Sequence, residues 1–360
     1  MAAVHCRYFQ FGYSATVGAR PSMKSSHAMK PSHVLPMSVR ERFDSAVAGL
    51  PVDRLPVTAW LHFGSEHLPP SDTAAVHRQF AEHYQPDLLK IHADYRLLVS
   101  HQHDLRSADD IAAIGLSAGD SPCFVAQKQC ISALLASDKG KSLMMETVFS
   151  PFQNLLRNVG ADQLTALLSH PQATHDTLVR ITEATCDHLR WLRANGIDIC
   201  FFATHGAIAA ERYSGPAQQW HAFIVEQWIQ PFDRQVLAEA DGMTRILHAH
   251  GQGLVMDTLR NYAFEVLHVS TELPGNPTLA ALRQWTDRCV MGGINEADFT
   301  GLSLAGLDER IAHAVSTAGQ QGFILAPGCS LPSHTPGRLL HRLLKSQNHS
   351  TAHERLVTGI

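Results

Sequence analysis

Two histidines one residue apart close the apolar run Thr244-Arg245-Ile246-Leu247-His248-Ala249-His250, and Gly251 follows. In an extended chain, side chains alternate faces, so His248 and His250 point to the same side. Gly251 allows the backbone to turn at once. Such a pair reads equally as half of a metal site or as one buried, hydrogen-bonded histidine beside a solvated one. Cys329 supplies what the first reading lacks. It follows Pro327-Gly328 at the end of another apolar run, Phe323-Ile324-Leu325-Ala326. Zinc binds imidazole nitrogen and thiolate sulfur, and catalytic sites use three protein ligands and leave one position open. His248, His250 and Cys329 therefore make a plausible zinc set. The open position would take a small thiol or carboxylate, or a water.

Further polar groups fall at the ends of other apolar runs: His62, His92 with Asp94, Glu146, His205, His268, and Gly292-Gly293 with Asn295. Asp94, Glu146 and His205 are candidates for acid/base or orienting work. Each carboxylate reads equally as an arginine partner or a helix cap. His62, His92 and His268 suit a fourth ligand, support for a ligand, or substrate contact, with an ordinary buried histidine as the plainer alternative. Gly292 and Gly293, with Asn295, would let the backbone approach a substrate closely, or simply form a tight turn.

What must position these groups is a series of short apolar segments. Eight can be read as strands: residues 56–64, 87–94, 143–149, 198–204, 245–248, 265–269, 288–293 and 322–326. Helical patterns lie at 37–50, from a cap at Ser71 or Asp72 to Tyr84, and at 124–137, 161–168, 175–195, 254–262, 279–286 and 307–319. A long helix over 215–240 is interrupted near Pro231, and a last one begins near Pro336. Near-continuous apolar strands belong to parallel sheets covered on both faces. Eight of them alternating with helices predict an α/β fold, the (β/α)8 TIM barrel, with the polar residues at its active-site end. An open doubly wound sheet is the alternative, but no GxGxxG follows the first strand.

Composition narrows the function. The chain has 360 residues, 45% hydrophobic and 17% charged, with 29 basic residues against 33 acidic. A net charge of -4 without a basic block gives no footing for nucleic acid. No apolar run reaches the roughly 20 residues that span a bilayer. The seven cysteines are scattered without CxxC spacing, as expected in a reducing cytoplasm. Cys123, Cys130, Cys186, Cys200 and Cys289 read as structural. Residues 1–35, rich in Ser, Met, His and Lys, read as a poorly ordered extension or as an arm pairing with a second subunit in a homodimer. Residues 36–350 read as the barrel.

Three stretches resemble the uroporphyrinogen decarboxylase-like superfamily: Leu247-His248-Ala249-His250-Gly251, Val290-Met291-Gly292-Gly293-Ile294-Asn295, and Phe323 to Cys329 with Pro332 and Thr335-Pro336 behind it. The resemblance covers residues 40–345 and implies a (β/α)8 barrel. Of its two chemistries, the metal-free decarboxylases hold substrate carboxylates with an arginine-rich motif at the first strand. Here that strand reads Val57-Thr58-Ala59-Trp60-Leu61-His62, and only Asp94 falls where the decarboxylase aspartate would be. The other branch comprises corrinoid- and thiol-dependent methyltransferases, which bind Zn2+ through His-x-Cys and a later Cys. His250 stands here where the first of those cysteines would be. The resemblance thus implies a zinc enzyme transferring a methyl or other one-carbon group to a bound thiolate, or a lyase acting on a zinc-bound thiol. The methyl donor would be a separate corrinoid protein or a small methylated compound. A metal-free decarboxylase of a tetrapyrrole or smaller acid, and a non-catalytic ligand-binding barrel, are the alternatives.

Overall fold

The computed structural model describes residues 35–348, apart from residue 66 and segments 93–103, 115–121 and 139–141. The extension expected over residues 1–35 lies almost wholly outside these residues, as does Asp94.

Seven parallel strands pair in chain order: β1 (Leu88–Ile91), β2 (Leu143–Phe149), β3 (Ile199–Thr204), β4 (Thr244–Ala249), β5 (Val266–Val269), β6 (Cys289–Ile294) and β7 (Phe323–Pro327). The helix Pro70–Tyr84 precedes β1, and others, including Pro122–Asp138, Pro171–Ala194 and Leu304–Ala318, run between the strands. The first expected strand is not a ladder strand. Within residues 56–64 only Val57 and Leu61 form bridges, to Leu325 and Leu331. The segment nevertheless joins both sheet edges. Leu325 donates to the Pro56 carbonyl and Thr58 to the Leu325 carbonyl on one side, while Asp87 donates to the Val57 carbonyl on the other. Side chains replace the missing ladder bonds. The Asp87 carboxylate accepts from the Val57 amide at 2.8 Å, and the Thr58 hydroxyl donates to the Leu88 carbonyl at 2.7 Å. This irregular stave completes a (β/α)8 barrel.

Alternation along the strands sorts the core. Leu88, Met145, Phe201, Ile246, Val266, Met291 and Ile324 fill the barrel with Trp60 and with Phe43 of the helix Val39–Val47. Leu89, Met144, Cys200, Leu247, Leu267, Val290 and Leu325 face outward to the helices. A third cluster joins the helices Pro151–Val159 and Pro171–Ala194 to Trp228 and Phe232. The helix Pro151–Val159 carries no counterpart in the sequence reading. The expected helix over 254–262 shrinks to a 3-10 turn, Met256–Leu259. Helix Pro70–Tyr84 starts without a side-chain cap, because Pro70 itself presets the first turn.

The interruption near Pro231 is a π-helical turn, Ile224–Ile229, ahead of the helix Gln230–Glu239. Proline lacks the N–H of an α-helical bond, and its ring clashes with the carbonyl four residues back, so the helix widens just before it. Under the barrel, Asp87 binds Arg42 at 3.1 Å and Arg54 at 2.7 Å, and Arg42 also binds Asp53 at 2.7 Å.

Candidate metal centre

The site forms where β4 and the loop after β7 meet at the barrel mouth. His248 Nε2 lies 3.2 Å from His250 Nδ1, and Cys329 Sγ lies 3.8 and 3.6 Å from those two nitrogens. A tetrahedral zinc with ordinary bond lengths separates two nitrogens by about 3.3 Å and a nitrogen from a sulfur by about 3.6 Å. The donor set therefore fits zinc in both element type and spacing.

His248 is held by a chain of hydrogen bonds. His268 Nε2–H donates to the Pro327 carbonyl at 2.8 Å, which leaves His268 Nδ1 as an acceptor. That atom faces His248 Nδ1 at 2.9 Å, so His248 carries its proton on Nδ1 and turns the Nε2 lone pair toward Cys329 and His250. The rings pack with Phe201, Trp60 and each other. Burial is the main reason that His248 stays well below its ordinary range and His268 falls to about 4, so both are neutral ligand-type imidazoles at neutral pH. Burial also lowers His250 and raises the Cys329 thiol, while the positive charge of Lys90 opposes the rise at Cys329. Gly328 explains how Cys329 reaches the centre. A Cβ there would lie 2.5 Å from Ser270 Cα and 2.7 Å from a Glu296 carboxylate oxygen.

A cavity of 80 Å³ lies over the three donors, walled by His62, Lys90, Thr147, Phe201, Gln153 and Trp60 among others. The sequence reading missed Lys90. Its ammonium donates to Thr147 at 2.8 Å and sits 4.6 Å from the Phe201 ring centre. A lysine inside the otherwise apolar Leu88-Leu89-Lys90-Ile91, on the same face as Leu88, was the available signal.

The other expected residues divide. His205 stacks on His250, with ring centres 4.9 Å apart. Burial first, then His250 and Arg157, lowers it to about 4. His62 lines the cavity and packs against His92 at 4.8 Å. His92 is buried between His62, His77 and Phe63, and its pKa falls well below normal through burial. His268 backs His248 rather than lining the cavity.

Glu146 is not at the mouth. It is fully buried on the outer face of β2, accepting from Gln127 at 2.9 Å with His188 at 3.4 Å, and burial raises its pKa. Alternation puts Met145 and Thr147 inside the barrel and hence Glu146 outside. Gly292, Gly293 and Asn295 also miss the cavity. A Cβ on Gly293 would point at Ala314, Phe323 and Leu279 in the helical layer, and one on Gly292 would meet the Val269 carbonyl. Asn295 folds back to accept from the Ala297 amide at 2.9 Å. Both glycines pack closely against their neighbours, away from the walls of the cavity.

Comparison with known proteins agrees with this architecture. The uroporphyrinogen decarboxylase (URO-D) family profile matches residues 100–349, and the chain belongs to that family of enzymes. Among solved structures, a methyltransferase from Methanosarcina mazei shares the fold with a TM-score of 0.68. It is 13% identical, over 87% of this chain and 98% of its own. A B12-independent methionine synthase from Shewanella sp. W3-18-1 matches with a TM-score of 0.49 and 11% identity, over 84% of this chain and 94% of its own. No curated protein matches the sequence. Among the described residues, no helix is long and apolar enough to cross a membrane.

Proposed function

We propose that the chain is a zinc-dependent methyltransferase whose acceptor is a small thiol, with His248, His250 and Cys329 as the metal ligands. The observation that carries this is the convergence of two imidazoles and one thiol at zinc spacing on the mouth of the barrel. Zinc bound there would supply a Lewis acid that favours the thiolate form of the substrate at neutral pH. The likeness of the fold to a methyltransferase supports methyl transfer as the reaction. The donor would be a separate corrinoid protein or a small methylated compound.

The residues around the donors do three things. The Pro327–His268–His248 chain fixes which nitrogen of His248 faces the centre. Lys90 places a positive charge in the same cavity, which favours anionic sulfur over neutral thiol. The rings of Phe201 and Trp60 exclude water around it. Tetrapyrrole decarboxylation is poorly served. Among the described residues that line the cavity, Lys90 is the sole lysine or arginine, and a substrate with many carboxylates needs several such cations.

Metal analysis of protein purified without added metal tests the reading. About one zinc per chain is expected, lost in His248→Ala and Cys329→Ala together with methyl transfer to thiols. Metal-free protein that remains folded and will not take up zinc refutes it.

A further inference from the structure

A second cavity, of 340 Å³, opens beside the first. Its walls are the helix Pro151–Val159 and the π-helical turn Ile224–Ile229, and its surface is mostly Phe152, Leu156, Leu164, Ile224, Val225 and Ile229. This volume is at the lower end of small-ligand pockets. Gln153 belongs to the walls of both cavities, and His205, which stacks on the ligand His250, forms the inner end of the larger one.

Two polar atoms at this junction stand out. Among the described residues, His205 Nε2 and Gln153 Oε1 are buried and have no hydrogen-bond partner. Buried polar atoms in folded proteins are nearly always paired, and one left open costs about 1–3 kcal/mol. Two neighbouring polar groups of the chamber are engaged. The Arg157 guanidinium lies 4.0 Å over the Phe149 ring, and His221 Nε2 bonds the Ile208 carbonyl at 2.8 Å. The π-helical turn ahead of Pro231 forms the chamber wall, a kind of turn frequent at functional sites.

We infer that the substrate is a thiol with an apolar body and a polar group close to the sulfur. The sulfur enters the smaller cavity at His248, His250 and Cys329. The polar group pairs with His205 Nε2 and Gln153 Oε1, and the alkyl or aryl body fills the chamber under Ile224 and Phe152. This inference rests on the thiol reading above and adds the class of thiol.

The test is a binding series on the full chain, followed by calorimetry. Straight-chain thiols from ethanethiol to hexanethiol are titrated into zinc-loaded and into metal-free protein, and the matching primary alcohols into metal-free protein. Each added methylene is expected to tighten binding roughly fourfold in both series. Ala217→Trp, which fills the chamber, is expected to flatten the rise for the longer members and leave ethanethiol unchanged. Ala161→Trp, from the exposed rim of the same chamber, gives the same reading should the first variant fold poorly. A flat series in wild type, or a rise that both variants leave intact, overturns the apolar body even where zinc and thiol bind. A rise in the alcohols with no effect of zinc on the thiols keeps the chamber and refutes the thiol reading beneath it.

Discussion

Replacing His268 by alanine removes the acceptor of His248 Nδ1–H and leaves all three metal donors in place. The lost bond is buried and 2.9 Å long. Leaving Nδ1–H unpaired costs about 1–3 kcal/mol. His248 escapes that cost by moving its proton to Nε2, the atom that faces Cys329, or by turning its ring. Metal binding must then reverse the change against the same cost. Zinc affinity should fall about 10–100-fold, the usual effect of losing a supporting partner of a histidine ligand. Competition against a chromophoric chelator measures it, with circular dichroism to confirm the fold. His268→Gln, whose amide oxygen can accept, should recover part of the loss. Affinity within about twofold of wild type in folded His268→Ala refutes the relay. A loss beyond about a thousandfold would make His268 a ligand instead of a support.

Three other outcomes are expected. Asp233 is fully buried, accepts from Thr204 and Tyr262, and is raised by burial from 3.8 to about 6. The folded state thus binds the proton more tightly, so this stability is complete below about pH 4 and lost as pH rises through about 6. The stability of wild type relative to Asp233→Asn should fall by about 2 kcal/mol from pH 4 to pH 7 in urea titrations; a constant difference contradicts it. Asp87→Ala strips the Val57 amide of its side-chain acceptor, leaves Arg54 only the Leu55 carbonyl, and leaves Arg42 only Asp53 and the Met37 carbonyl. It should cost about 3 kcal/mol in urea unfolding, and a loss under about 1 kcal/mol would show the network to be dispensable. Gly328→Ala forces backbone apart at Ser270 and shifts Cys329, so zinc affinity should drop about tenfold while overall stability changes less; unchanged affinity shows that the loop tolerates the methyl.

The apolar strands were readable because a parallel barrel buries both of their faces. All seven ladder strands fall within a few residues of where runs such as Leu143 to Phe149 place them. The clustering of His248, His250 and Cys329 was readable in part for a local reason, since His248 and His250 share a face in any extended chain. Pairing them with Cys329 needed the barrel as well, because the two segments are 79 residues apart. What failed was inward against outward. Glu146 and Lys90 both sit in apolar runs, and the phase of each strand decides that lysine enters the mouth and glutamate the helical layer. The first stave is less regular than the strand its apolar run suggests, because bonds to the Asp87 and Thr58 side chains replace part of its backbone ladder. The chamber was invisible, since it depends on the unrecognised helix Pro151–Val159 and on how Pro231 widens the helix before it.

The irregular stave has a consequence for the order of assembly. Val57 is made early and bridges Leu325, which is made late, so the ring stays open on a growing ribosomal product until β7 has emerged. The same loop that closes the ring delivers Cys329. Closure and the assembly of the three-residue cluster therefore arise in a single event. A chain stopped after β6 would have two of the three donors and an unsealed edge, so tight zinc binding would act as a built-in certificate that synthesis ran to completion.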